Sequence, residues 1–347
     1  MSGGLRVLAP GLHTTLQDFG RFGAQALGMP VSGALDRDLL RLANALVGNA
    51  PDEAALEVLH VGPVLEVTAP ALRLALAAYG GAILLDDAED RRVPAWRSVT
   101  LPRGARLRVL AGRDTAAGYL AIGGGFAVPP LAGSRSTYVR GGLGGWQGRA
   151  LAEGDEIPAR QVSAPAGAER RLPAPPVLER GKLRVVLGPQ DDHFTEAAIA
   201  TLCAAEFVVT PEADRMGLRL DGPVLEHRRG HDIVSDGTAA GALQVPGSGR
   251  PVLLLADRQT TGGYPKIAVV CTADLPRAGQ LRPGDRVSFA AIEVAAAQAA
   301  RREHEAALAA LIGGIVPIEA RPDIATLRRI DLISGVVEAD QANSSNG

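Results

Sequence analysis

Short apolar runs, each followed by glycine, proline or aspartate, recur along the chain. Leu5–Leu8, Val64–Val67, Arg106–Leu110, Arg184–Leu187, Val252–Ala256 and Ile267–Cys271 carry branched residues between turn formers, the pattern of short strands. Three stretches follow the helical period instead. Asp36–Val47 places Leu39, Leu42, Ala43 and Leu46 on one face, with Asp36 as N-cap and Gly48 as the stop. Thr195–Ala205 offers a threonine cap before an alanine-rich run. Ala290–Ile312 sets Glu and Arg on one side and Ala and Leu on the other. The pattern predicts a mainly β fold with a few helices.

The chain also repeats itself. Gly62-Pro-Val-Leu-Glu66 returns as Gly222-Pro-Val-Leu-Glu226, and Leu151-Ala-Glu-Gly-Asp155 returns as Leu281-Arg-Pro-Gly-Asp285. The landmarks keep their order, but the first interval is longer, which places an insertion in the first half. Gln161–Arg180 is rich in Ala, Pro and Arg without periodicity, as linkers are. The expected organisation is a first β-barrel subdomain with an insertion over 1–160, a linker over 161–180, a second barrel over 181–290, and a C-terminal helix and tail over 291–347. A site at the junction of the barrels is the default expectation.

With 347 residues, the chain exceeds what one hydrophobic core ordinarily organises, in keeping with two subdomains. A net charge of −2 and 3% aromatic residues offer no general attraction or stacking platform for nucleic acid. The start carries no charged and apolar leader pattern and no apolar run reaches spanning length, so a cytoplasmic location away from any membrane is expected. Cys203 and Cys271 are too far apart for a thiol metal knuckle. His227-Arg-Arg-Gly-His231 has the spacing of helical zinc ligands, but Gly230 interrupts it and the surroundings read as a solvated turn. No metal is therefore expected. The sequence has no Walker loop and no nucleophile elbow. Pro129-Pro130 after Gly123–Gly125 removes the helix that a dinucleotide fingerprint needs. Neither Lys182 nor Lys266 is flanked by methionines, so biotin is not expected on this chain.

The chemistry concentrates in Asp257-Arg-Gln-Thr-Thr-Gly-Gly-Tyr-Pro-Lys266, a donor-dense loop between two apolar strand runs. Arg258 and Lys266 supply charge, while Gln259, Thr260, Thr261 and Tyr264 supply polar groups. Gly262 and Gly263 allow backbone N–H groups close to a ligand oxygen. A second polar cluster, Thr14–Arg21, leads through the turn-rich Gly28–Asp36 into the first helix. Two more are Asp214-Arg-Met-Gly217 and Gly133-Ser-Arg-Ser-Thr137, the latter before the glycine-rich Gly141–Gly145.

Taken in order, Thr14–Arg21, Gly28–Asp36, Leu42–Asn49, Gly133–Gly145, Asp214–Pro223 and Asp257–Val269 resemble the family shared by the C component of 5-oxoprolinase and the carboxyltransferase domain of urea carboxylase. The likeness runs from about Leu5 to Phe289, and Asp331–Val337 is similar to the ending of relatives. The resemblance implies two cyclophilin-like β-barrels. It also implies 5-oxoprolinase subunits B and A as partners, and ATP-dependent opening of 5-oxo-L-proline to L-glutamate, with ATP bound on this chain or on a partner. The alternative it carries is carboxyl transfer from carboxybiotin, held elsewhere, onto urea or another small amide. A non-enzymatic regulatory binding protein is the third reading. Both reactions need a carbonyl oxygen polarised by preorganised donors. The expected catalytic residues are Arg258, Lys266 and Asp18. The expected substrate-binding residues are Gln17, Arg21, Arg215, Gln259, Thr260, Thr261, Gly262, Gly263 and Tyr264, with Gln17, Asp18 and Arg21 facing the Asp257–Lys266 loop across a cleft.

Overall fold

The computed structural model describes residues 3–86, 91–112 and 115–319. The similarity at Asp331–Val337 therefore lies outside the described residues.

The first half is built from two sheets. One runs in the order Glu156–Pro158, Gly4–Ala9, Val64–Val67, Arg106–Leu110, Ala82–Leu85, Arg92–Pro94. The other runs His13–Gln17, Ala55–Leu59, Ala117–Ile122, Ala71–Ala77, Ser98–Pro102. Ala117–Ile122 is buried along its whole length, with a strand on either side and a helix over it. That explains a near-continuous apolar run where a half-exposed strand would alternate.

The covering helix, α1 (Arg37–Val47), forms as its periodicity requires. Asp36 accepts from the Asp38 and Leu39 amides, and Gly48 ends the helix in the left-handed conformation. Leu39, Leu42, Ala43 and Leu46 are buried in the larger core.

In the second half, seven strands close into a barrel in the order Leu183–Leu187, Lys266–Val270, Ala242–Gln244, Val252–Leu254, Gly217–Asp221, Glu206–Ala213, Arg286–Ala291. The ring is completed where the last strand lies parallel to Leu183–Leu187. Inside it, Phe207 and Phe289 pack with ring centroids 6.0 Å apart. Helix α2 (Glu196–Ala204) starts at the Thr195 cap, a short α3 spans Leu275–Ala278, and α4 covers Val294–Gly313. Helix α4 begins later than the sequence pattern indicates because Arg286–Ala291 completes the barrel with Val287 and Phe289 facing inward. It then crosses to the first half and buries Leu308 in the larger core.

Only one of the two repeated landmarks has the same structure in both halves. Gly154 donates to the Val7 carbonyl while Val7 donates to that of Asp155. Gly284 and Asp285 repeat this arrangement around Val209. Both glycines have positive φ, which the turn requires, and each aspartate side chain accepts from a backbone amide of its own turn. By contrast, Gly62–Glu66 enters a strand, whereas Gly222–Glu226 is irregular.

A buried polar network joins the halves. Arg215, from the barrel, donates Nε and Nη2 to Asp257 at 2.9 and 3.1 Å, Nη2 to the Gly33 carbonyl at 2.6 Å, and Nη1 to Glu57 of the first half. The second oxygen of Glu57 accepts from the Tyr119 hydroxyl at 2.5 Å and the Leu35 amide at 2.9 Å. The Tyr119 oxygen accepts in turn from the Asp36 amide at 3.0 Å. Burial opposes the Arg215 charge, but Asp257 and Glu57 outweigh it and hold the guanidinium ionised. Burial, followed by the neighbouring Glu57 and Asp36, pushes the Tyr119 hydroxyl well above its ordinary value.

This junction can be tested in two ways. Arg215→Met leaves two buried carboxylates facing each other, and a loss of about 3–5 kcal/mol is expected in urea denaturation; an unchanged midpoint would contradict the network's role. The second test concerns Asp36, which also accepts from Gln280 across the junction at 2.8 Å. Burial, with Asp38 adding to it, pushes its carboxyl up to about 7. Because this value is raised in the fold, the stability it contributes is full below the ordinary carboxylate range and is lost as pH climbs through about 7. Asp36→Asn, which keeps the cap acceptor, should flatten that decline. Parallel midpoint-against-pH curves for the two proteins would refute the assignment.

Candidate functional site

The Asp257–Lys266 loop leaves the barrel strand Val252–Leu254 and returns along Lys266–Val270, so both ends are held by ladder pairing. Thr238 clamps its middle: the hydroxyl donates to the Gln259 carbonyl, and the amide donates to that of Thr260 at 3.1 Å. Thr261 and Gly262 pair with Asp236 and Gly237, and the Gly263 carbonyl accepts from Ile233 at 2.8 Å. The backbone is thus fixed, and its side chains are dealt to different places.

Asp257 turns inward to Arg215. Gln259 and Tyr264 turn to a cavity of about 620 Å³, lined also by Gln244, Arg140, Asp214, Met216 and Leu254. Gln259 donates to the Gln244 side-chain oxygen at 2.9 Å, and the Gln244 amide nitrogen lies against Gly262. That nitrogen is buried and has no partner, in a residue only 3% exposed. A buried donor left unmatched costs about 1–3 kcal/mol. Gly262 makes this arrangement possible, since a Cβ there would collide with the Gln244 nitrogen. Across the rim, Arg140 of the first half donates to Asp214 at 2.8 Å, so both halves contribute to the walls. The Arg140, Asp214 and Tyr264 side chains are open to solvent, whereas the floor at Gln244 is not.

Arg258 and Lys266 lie elsewhere. Arg258 makes only long contacts, to the Thr238 and Leu255 carbonyls at 3.3 and 3.4 Å, and lines a separate cavity. Lys266 is buried, with Nζ 3.2 Å from Asp236, and its hydrogen bond, followed by those from the Gly237 amide and Gln190, holds the Asp236 carboxyl below the usual range. Gln190 braces both: it donates to Asp236 at 3.2 Å and accepts from the Lys266 amide at 3.1 Å.

Gln17, Asp18 and Arg21 are brought together with one another, and Arg21 lies near enough to the head of the loop for the Asp257 charge to act on it. Asp18 accepts from the hydroxyls of Ser134 and Ser136 at 2.6 and 2.5 Å, and from the Arg135 and Gly20 amides at 2.5 and 2.7 Å. This clasp gathers the segment after Gly133, more than a hundred residues away in sequence, onto the first-half sheet. Gln17 donates to the Thr137 carbonyl at 3.0 Å, and Arg21 to that of Ser136 at 2.6 Å. Both are buried, and burial lowers the Arg21 pKa. Gln244 and Arg140 were not singled out from the sequence. The signal for Gln244 was a lone amide ending the apolar run Ala242–Gln244, which means little until its strand partner is known.

Among the described residues, no group of three or more His, Cys, Asp or Glu is placed to hold a metal ion. The two histidines at zinc-like spacing serve other contacts, His227 stacking on Phe194 and bonding the Val245 carbonyl. No described helix is long and apolar enough to cross a membrane.

Residues 27–291 match the family model described as carboxyltransferase domain, subdomain A and B, and the chain belongs to that family. The C subunit of the 5-oxoprolinase of Escherichia coli strain K12 is 33% identical over 304 residues, covering 87% of this chain and 95% of that protein. Among solved structures, TTHA0988 superposes with a TM-score of 0.74 at 39% identity, over 83% of this chain and 56% of its own. The urea amidolyase of K. lactis superposes with a TM-score of 0.79 at 29% identity, over 92% of this chain and 21% of its own. This chain therefore spans about half of the first of those solved proteins and about a fifth of the second.

The amide pair gives a direct structural prediction. In Gly262→Ala, the Gln244 carboxamide should be turned away and its 2.9 Å bond to Gln259 broken. A crystal structure of the variant with that bond intact would contradict the close approach described here.

Proposed function

We propose that this member of the carboxyltransferase-domain family is the C component of an ATP-dependent 5-oxoprolinase, acting with subunits B and A. The observation that carries this reading is the cavity of about 620 Å³ lined by Gln244, Gln259 and Tyr264, with Arg140 of the first half at its rim and an unpartnered amide nitrogen on Gln244. The cavity volume lies within the usual range of small-molecule sites and exceeds the needs of one small lactam. Its polar floor and open rim suit a small ring held at one end and covered by a partner protein. A relative of similar length, the E. coli protein, is itself named a 5-oxoprolinase C subunit.

In the proposed reaction, water adds its oxygen to the lactam carbonyl carbon, the ring C–N bond breaks and the nitrogen gains a proton, giving L-glutamate. ATP, bound on this chain or on a partner, supplies the driving force by hydrolysis. In this reading Gln244 donates to the lactam oxygen as negative charge develops there. Gln259 fixes the orientation of that donor, and Tyr264 borders the ring. A dipole held in place before the reaction stabilises developing charge more effectively than mobile water.

Glutamate release from 5-oxo-L-proline and ATP, measured with the chain and its subunits B and A together, tests the assignment. Release is expected only with all components present, and Gln244→Ala should lower kcat/KM roughly 100- to 1,000-fold, the scale of losing one oxyanion donor. No release from a properly assembled complex would reject the reading. Carboxylation of urea or another small amide by a biotin-bearing partner would then be the reaction to measure, in line with the likeness to urea amidolyase.

A further inference from the structure

A second cavity, of about 490 Å³, shares no lining residue with the first. Its walls come from the loop before α1, the first turns of α1, the barrel segment Leu255–Arg258 and α4. Four arginines line it: Arg37, Arg41, Arg258 and Arg301. The two carboxylates present are already engaged, Asp38 with His304 at 2.7 Å and Glu305 with Arg41 at 2.8 Å. Among the described residues, Arg258, Arg37 and Arg301 have no carboxylate partner. Arg258 is only 7% exposed and touches carbonyl oxygens at 3.3 and 3.4 Å. Arg37 donates to the Phe19 carbonyl at 2.8 Å and lies over the Phe19 and Phe22 rings.

Ser32 adds an independent indication. It is 2% exposed, holds a positive φ of 55°, and its hydroxyl has no hydrogen-bond partner. Its amide donates to the Ala256 carbonyl at 3.1 Å, which pins it beside the Arg258 segment of the other half. A non-glycine residue in the left-handed region is uncommon and is often found where a side chain is presented for function. Burial, and after it the neighbouring Arg37 charge, lowers the Arg258 pKa; burial lowers that of Arg37 as well. Asp257 and Asp18 offset this only through space, neither forming an ion pair with Arg258 or Arg37, so two desolvated cations are held near each other and a bound anion would relieve both.

We infer that this cavity binds a phosphate-bearing small molecule, with Arg258, Arg37 and the Ser32 hydroxyl on the phosphate. Arg301 and Arg41 attract it at the rim, and Phe19, Phe22 and Leu275 border the rest of the ligand. Guanidinium groups suit phosphate because their paired N–H donors match its oxygens. The surplus of positive charge favours a dianion over a single carboxylate, and the space beside the arginines exceeds that of the ion alone. The inference does not depend on which amide occupies the first cavity.

Calorimetric titration of the whole purified chain with inorganic phosphate, ADP and ATP, and with succinate as a dicarboxylate control, tests this directly. Saturable phosphate binding is expected, weakened at least tenfold by Arg258→Ala and partly restored by Arg258→Lys. Arg301 is exposed on α4, so Arg301→Ala cannot disturb the fold, and it should still weaken binding several-fold at low salt. Tighter binding of ADP or ATP than of phosphate would identify a nucleotide as the ligand; equal binding would identify the phosphate group alone as what is recognised. Absence of saturable binding at millimolar phosphate, ADP and ATP would overturn the inference. So would succinate binding as well as phosphate, or phosphate affinity unaltered by both the Arg258→Ala and Arg301→Ala changes. Because the titration needs no partner protein and no turnover, its failure is distinct from a failure of the glutamate-release assay.

Discussion

A guanidinium taken out of water is costly unless its donors are matched, and Arg215 meets that demand with groups from both halves of the chain. Asp257 comes from the head of the donor-rich loop, Glu57 from the central strands of the first half, and the Gly33 carbonyl from the turn before α1. Tyr119 and Leu35 take the second Glu57 oxygen, so its negative charge is matched in turn. The geometry of each element is therefore tied to the others through one side chain. Replacing such a network by apolar residues of similar volume can be neutral for stability, so its value here lies in registration. It sets where the loop leaves the barrel relative to the first half, and both cavities depend on that setting.

Beyond Asp257 the loop serves two separate sides. Gln259 and Tyr264 belong to the cavity with the free Gln244 donor, and Arg258 to the arginine-lined one. One short segment, clamped by Thr238 and by ladder pairing, thus borders two environments of different chemistry: a neutral donor suited to a carbonyl, and a surplus of positive charge suited to an oxyanion. The exposed rim at Arg140, Asp214 and Tyr264 is where a partner protein would complete the first of them.

Much of this was legible in the residues. Helix α1 follows from its apolar spacing, the Asp36 cap and the Gly48 stop because all three are local signals. The turn entering the last strand of each half was recognisable from Leu151–Asp155 and Leu281–Asp285 for the same reason. The site was legible only in part. Donor density marked the Asp257–Lys266 loop, but alternation along it sends neighbouring side chains to different places, and composition does not reveal which. The Thr14–Arg21 cluster resembled a ligand-facing wall. Asp18, Gln17 Nε2 and Arg21 Nη2 meet the Ser134–Thr137 segment, a pairing fixed by contacts across more than a hundred residues. Gln17 Oε1 and the Arg21 Nε and Nη1 groups keep no partner among the described residues. Gln244 could not be weighed without the register that sets it opposite Lys266 and under Gly262.

The central claim is that the Gln244 donor receives the carbonyl of a small amide. A crystal structure of the chain with its partner proteins, soaked with 5-oxo-L-proline, tests it most directly. The account predicts the lactam oxygen within hydrogen-bond reach of the Gln244 side-chain nitrogen, with the ring beside Tyr264. Density for the lactam among Arg37, Arg258 and Ser32, with the Gln244 cavity empty, would contradict it.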